Sequence, residues 1–121
     1  MVDIQLGQGD SDDIPVVLTE DGKGSNLNGS VVHFVLSDEL GNGKYDIICA
    51  EGIKDQVTNE IITEFSVGGI TIPITGVHTK DTCELFGEFI VMAGDKQVTF
   101  SNDDNYVTMK VKRKLSVITP F

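Results

Sequence analysis

Short apolar runs rich in Val, Ile, Phe and Thr recur along this chain, separated by clusters of Gly, Asn and Asp. Their spacing is close to the roughly 8 to 12 residues expected between strands of a β-sandwich. Residues that are β-branched or aromatic favour strands, whereas Gly, Asn and Asp tolerate the backbone angles of tight turns. The pattern therefore predicts an all-β protein.

The sequence predicts eight strands, and proline limits where two of them can lie. Because proline cannot donate to a strand ladder, Pro15 and Pro73 are expected at strand ends, bulges or edges. One helical turn is considered at Thr79–Phe86, where Asp81 could cap it. The predicted strands are Ile14–Thr19, Val31–Leu36, Tyr45–Ala50, Glu60–Val67, Ile70–Thr75, Gly87–Met92, Gln97–Ser101 and Tyr106–Arg113.

Alternation predicts which side chains of two strands share a face. Val32, Phe34 and Leu36 are expected to point one way, and Val31, His33 and Val35 the other, so Phe34 is expected in the core. In the last strand, Val107, Met109 and Val111 share one face, and Thr108, Lys110, Lys112 and Lys114 share the other.

The basic residues of that last strand have two interpretations. Four of the nine positive residues of the chain lie between Lys110 and Lys114. Lysines on an edge strand prevent sheet-to-sheet aggregation, which is one interpretation. The other is an interface with a neighbouring subunit, to which we return below.

Length and charge exclude several classes of protein. The 121 residues predict one domain, residues 1–115, followed by a short tail, residues 116–121. With 19 acidic and 9 basic residues, the formal charge of −10 disfavours nucleic acid and anionic membranes as partners. No apolar run is long enough to span a membrane, and the first residues do not resemble a signal peptide, so a cytosolic origin is expected.

Residues that could carry chemistry are few. Cys49 and Cys83 lack the paired spacing of a zinc site and are expected to be reduced thiols packed as small hydrophobic residues. His33 and His78 are the only histidines, and no spacing joins them into a triad or a metal motif. No nucleotide-binding loop is present either, so we expect no cofactor, no catalytic residues and no enzyme activity.

Two acidic clusters were weighed as calcium sites. They are Asp10 to Asp13 and Asn102 to Asn105, which could gather oxygen ligands at the end of a sandwich. Neither has the spacing of an EF-hand. Solvated turn residues are the favoured interpretation, and no metal site is predicted.

The order of motifs resembles the N-terminal domain of phage upper baseplate proteins of the BppU type. At the start, a Gly-Asp step, a first strand, an Asp-Gly turn and an Asn-Leu-Asn-Gly link precede the strand GSVVHFVL. Near the end, Gly87-Glu88-Phe89 leads into a strand, a short loop, Thr99-Phe100 and the final strand YVTMKVKRKL. The resemblance covers about Asp3 to Leu115. The chain departs from the family at Phe86 and Ser101, where Tyr and Pro are common.

This resemblance implies an immunoglobulin-like antiparallel β-sandwich of about seven or eight strands. It also implies a non-enzymatic virion protein of a tailed bacteriophage, made in the host cytoplasm, that helps hold receptor-binding proteins on the tail. Other tail or baseplate proteins and further copies of the chain are the expected partners.

An interface between copies follows as a hypothesis. Lys110, Lys112 and Lys114 could pair with acidic residues such as Asp12 and Asp13 of the next subunit, because complementary charges steer association. Pro120 and Phe121 form an apolar tip that could dock on the same neighbour.

Two alternatives belong to other classes of protein. A carbohydrate-binding module is compatible with a sandwich, but Tyr45 and Tyr106 are the only aromatic stacking platforms besides phenylalanines expected in the core. A small β-sandwich enzyme ranks last, because no nucleophile, base or metal set can be assembled.

Overall fold

The structure is a computed structural model that describes residues 2–100 and 107–113. Within these ranges the regular secondary structure consists of strands and one 3₁₀ turn at Phe65–Val67. The all-β prediction is therefore confirmed. In chain order the strands are β1 (Val2–Gly7), β2 (Asp12–Val17), β3 (Thr19–Glu20), β4 (Lys23–Gly24), β5 (Val31–Ser37), β6 (Gly43–Ile48), β7 (Ala50–Glu51), β8 (Ile53–Lys54), β9 (Ile61–Thr63), β10 (Gly69–Ile74), β11 (Cys83–Ala93), β12 (Lys96–Phe100) and β13 (Val107–Lys112).

Two sheets form the body of the domain. The larger has the order β1-β13-β11-β5-β6, with β12 also paired to β11, and the smaller has the order β2-β10-β7. Strands β3 and β4 form one hairpin, and β8 and β9 form another. All pairs among the described residues are antiparallel except β1 with β13, which run parallel. Parallel neighbours need a long connection, and almost the whole chain lies between these two strands.

The core lies between the two sheets, as in a β-sandwich. Alternate residues of β5 and β13 point into it, and Phe34 is fully buried beside Phe89, with ring centroids 4.9 Å apart. The predicted inward faces of both strands are therefore confirmed. The smaller sheet contributes mainly isoleucines and valine to the core, namely Val16, Ile70, Ile72 and Ile74.

The β3–β4 hairpin has the tight turn that its sequence predicts. Asp21 and Gly22 are its two turn residues, with φ angles of 52° and 77°. Positive angles at both central positions match the twist of the flanking strands, and Asp-Gly is one of the pairs that adopt them readily. The Asp-Gly turn predicted here is confirmed.

Both prolines lie where a missing N–H is tolerated. Pro15 is in β2, which pairs only with β10 and is an edge of the smaller sheet. Pro73 is in β10, beyond the two residues of that strand, Ile70 and Thr71, that pair with β7.

The structure differs from the elements predicted or considered at three places. The second half of the predicted strand Glu60–Val67 is the 3₁₀ turn at Phe65–Val67. The helical turn considered at Thr79–Phe86 does not form, because β11 begins at Cys83 and is held between β5 and β13. Strand β1 was not predicted, and its pairing partner β13 lies about a hundred residues away in sequence. Local propensity does not report such a distant partner.

The described residues contain no helix long and apolar enough to cross a membrane. Both cysteines are free thiols, Cys49 buried and Cys83 half-buried. Burial is the main cause that raises the pKa of Cys49 to about 12, and the nearby Asp46 carboxylate adds to it. The prediction of reduced, packed thiols is confirmed for Cys49 and in part for Cys83.

Candidate interaction surfaces

The basic residues of β13 lie in the middle of the larger sheet rather than at its edge. Strand β13 has β1 on one side and β11 on the other. Lys110 lies opposite Gln5 of β1 and opposite Glu84 of β11. The interpretation of these lysines as protection of an edge strand is therefore wrong, because β1 occupies the position that the edge would have had.

Part of the basic charge is balanced within the sheet. The hydroxyl of Thr108 donates to Oδ1 of Asp3 at 2.9 Å. This hydrogen bond, a second one from Gln5, and the positive charges of Lys110 and Lys112 together lower the pKa of Asp3. Asp3 thus stays ionised beside the lysines.

Among the basic residues of the last strand that the structure describes, those at its end are the most exposed. Lys110 is half-buried, whereas Lys112 and Arg113 are exposed. Lys114, Pro120 and Phe121, which were also predicted at an interface, lie outside the described residues. Their role stays a prediction.

The predicted acidic partner residues lie on the other sheet. Asp12 and Asp13 are the first two residues of β2, and both are exposed. Asp10 differs from them, since its carboxylate accepts the backbone N–H of Gly7 at 2.9 Å and its carbonyl accepts the Thr79 hydroxyl at 2.7 Å. Asp10 therefore shapes the turn between β1 and β2.

A groove of about 890 Å³ runs beside these two aspartates. It lies between the outer face of the smaller sheet and the β8–β9 hairpin. Glu51 and Asp55 line it together with Asp12 and Asp13, and Lys54 is the one cation among its described lining residues. The floor and walls also contain apolar or uncharged residues, including Pro15, Ile53, Ile61, Thr71 and Pro73.

The Asp55 carboxylate is fixed by the hairpin loop that it caps. It accepts the backbone N–H groups of Val57 at 2.8 Å and Thr58 at 2.9 Å. Hydrogen bonds from Thr58 and Val57 lower the pKa of Asp55, so this wall of the groove carries a negative charge at neutral pH. Sequence analysis missed Glu51 and Asp55, because about forty residues separate them from Asp12 and no local motif links the two stretches.

The two acidic clusters considered for calcium do not form a metal site in the described part of the chain. In residues 2–100 and 107–113, no group of three or more His, Cys, Asp or Glu side chains has an arrangement that could hold a metal ion. The cluster from Asn102 to Asn105 lies outside these ranges.

The histidines are engaged in local contacts. Nδ1 of His33 lies 2.9 Å from Oδ1 of Asp46, a residue of the adjacent strand. Nδ1 of His78 accepts the backbone N–H of Thr75 at 3.0 Å. The same nitrogen of His78 lies 3.4 Å from the hydroxyl oxygen of Thr75.

Tyr45, one of the two tyrosines considered for stacking on a sugar, makes contacts within the domain. The hydroxyl of Tyr45 donates to the carbonyl of Val77 at 3.2 Å. Its ring meets that of His78 at 5.0 Å between centroids, nearly perpendicular. Tyr45 thus holds a loop in place, and Tyr106 lies outside the described residues.

Comparison with known proteins gives a likeness among solved structures. No protein-family model and no curated protein matches the chain. Among solved structures, the chain is similar to the N-terminal domain of phage TP901-1 ORF48, with a TM-score of 0.58 and 14% sequence identity. The match covers 90% of this chain and 83% of that one. The sandwich fold implied by the motif order is therefore confirmed.

Proposed function

We propose that this chain is a non-enzymatic structural protein of a tailed-bacteriophage virion, a baseplate or tail-tip component that holds or positions receptor-binding proteins. The observation that carries this proposal is the likeness in fold to a domain of a phage protein, which extends over 90% of the chain. The order of sequence motifs leads to the same class of protein by a separate route.

The charged surfaces suit a protein that works by contacts with other proteins. Exposed cations at the end of β13 and carboxylates at the start of β2 lie on different sheets, so one copy can present both at once. Other tail or baseplate proteins are the proposed partners, and homo-oligomers are expected. Charge complementarity of this kind governs the rate and register of association more than its strength.

The proposal places the protein in the phage tail after synthesis in the host cytoplasm. Mass spectrometry of virions purified from the phage that encodes the chain tests this directly. Peptides of the chain should be found in density-purified particles at a constant ratio to other tail proteins, and gold-labelled antibody should mark the tail end. Virions that lack the chain would overturn the proposal.

A further inference from the structure

The acidic groove has the chemistry of a peptide-binding site. Its carboxylates, Asp13, Glu51 and Asp55 among them, stand over a surface formed by the prolines and isoleucines of its lining. An extended ligand that fits must therefore carry cations beside apolar side chains. Among the described residues, β7 pairs with β10 only at Ile70 and Thr71, so the pairing on this side of β10 is short.

The chain itself contains a segment with this composition. Residues 113–121 read RKLSVITPF, two cations followed by leucine, valine, isoleucine and a Pro-Phe pair. They directly follow β13, whose last residue, Lys112, is exposed, as is Arg113 after it. Nowhere else in the sequence do three consecutive basic residues occur, as they do from Lys112 to Lys114.

We propose that the acidic groove of one copy receives residues 113–121 of a second copy. This inference rests on the proposed function, because it names the contact through which copies of a tail protein would assemble. Arg113 and Lys114 pair with the carboxylates of the groove, and the apolar side chains that follow cover its prolines and isoleucines.

The groove and the donated segment belong to different parts of the fold. The groove belongs to the smaller sheet and the donated segment continues from the larger sheet, so the contact joins two different surfaces. One-way donation repeats from copy to copy and gives a ring or a filament, whereas reciprocal exchange between two copies gives a two-fold dimer.

A labelled peptide tests the binding step. A fluorescent peptide of residues 110–121 is titrated with the full chain at low salt and followed by anisotropy. We expect saturable binding that weakens about five-fold when Asp13→Asn and Glu51→Gln are combined, since two exposed charge pairs are lost. Both side chains are exposed, and both residues pair with β10 through the backbone, so the variant should keep its fold.

The matched control removes the same charge elsewhere. Glu39→Gln combined with Asp95→Asn neutralises two exposed carboxylates in loops of the larger sheet, and this variant should bind the peptide as the parent chain does. If both variants bound the peptide equally weakly, the loss of affinity would come from net charge and not from the groove, and the inference would be overturned. A peptide that does not bind, or that binds the groove variant unchanged, would overturn it as well.

Nuclear magnetic resonance of the full chain distinguishes two cases: residues 113–121 bound in the groove of a second copy, and the same residues bound in the groove of their own chain. Amide signals of Gly52 and Thr71, at the groove, should shift as the protein is diluted and should lose this dependence in a Phe121→Ala variant. Groove signals that respond to Phe121→Ala but not to dilution would show that the segment occupies the groove of its own chain, which contradicts the second-copy inference. The virion test is independent of this result, so either proposal can fail alone.

Discussion

The ring of Phe34 lies against the backbone of Gly87, so closely that a Cβ at position 87 would stand 2.4 Å from both Cε1 and Cζ of the ring. Leu36 lies directly opposite Gly87, and Phe34 lies opposite Phe89, on the paired strands β5 and β11. The Gly-x-Phe step of the sequence thus has a physical reason: glycine leaves room for one aromatic ring, and the phenylalanine two residues later packs against it.

Gly87→Ala should therefore destabilise the domain. The added methyl group cannot be accommodated without moving a fully buried ring, and overpacking of this kind costs about 1–3 kcal/mol. Urea unfolding measures the change in free energy. Gly43→Ala is the control, since a Cβ at position 43 meets nothing within 4 Å, and its free energy of unfolding should change much less.

A second substitution tests whether the ring is the cause. Phe34→Leu shortens the side chain that the new methyl group would strike. The cost of Gly87→Ala should therefore be smaller in the Phe34→Leu background than in the parent chain. Strictly additive costs would show that the two sites do not interact and would contradict this account of the motif.

The β5–β6 turn should depend on Asp38. Oδ1 of Asp38 accepts the backbone N–H of Leu40 at 3.0 Å and that of Asn42 at 2.9 Å. Asp38→Ala should lower the free energy of unfolding, because two backbone N–H groups lose their acceptor, whereas Glu39→Ala beside it should have little effect. Equal effects of the two substitutions would contradict the role assigned to the carboxylate.

Acid should weaken the same turn. Hydrogen bonds from Asn42 and Leu40 lower the pKa of Asp38. A carboxylate whose pKa is lower in the folded state contributes stability above its unfolded pKa of about 3.9, and this contribution is lost as the pH falls. The stability of the parent chain should thus drop more steeply below about pH 4 than that of Asp38→Ala.

His78 should make the protein less stable as the pH falls below about 6.5, the ordinary pKa of histidine. Partial burial lowers the pKa of His78, so the folded state binds its proton less readily than the unfolded state does. Its contribution is intact above the unfolded pKa and declines as the pH falls through it. Urea unfolding at pH 7.5 and pH 5.5 should show a smaller difference for His78→Gln than for the parent chain. An identical difference would contradict the assignment.

The two thiols should react at different rates. Cys49 is buried with a pKa of about 12, so almost none of it is thiolate at neutral pH. The pKa of Cys83 is also raised, mainly by partial burial, but its side chain is half-exposed. A thiol reagent added to the native protein should label Cys83 slowly and Cys49 only after unfolding. Equally rapid labelling of both would contradict the described core.

Sequence alone predicts the strands whose apolar residues alternate or cluster. The prediction for β5 differs from the structure only at its last residue, and alternation placed Phe34 and Met109 in the core correctly. In both strands one face is covered by the opposite sheet, so the pattern reports burial directly. Strand β11 was found only in part, because its first residues depend on pairing with β13.

The features that sequence did not reveal depend on distant partners. Strand β1 forms because it pairs with β13. Since β1 was not predicted from the sequence, β13 was interpreted as an edge strand and its lysines as edge protection. The groove joins Asp13 to Glu51 and Asp55 through the pairing of β10 with both β2 and β7. No local pattern carries this information, so the acidic residues could be listed from the sequence but not assembled into one surface.

Association of copies through oppositely charged surfaces is the central claim, and molar mass in solution tests it most directly. Light scattering coupled to size exclusion should be run at low salt and at about half-molar salt, where the screening length falls to about 4 Å. We predict a mass of several chains at low salt that falls at high salt, and a loss of that mass at low salt when Lys112→Glu and Arg113→Glu are combined. A single-chain mass at both salt concentrations, or an oligomer unaffected by salt and by the charge reversal, would contradict the account.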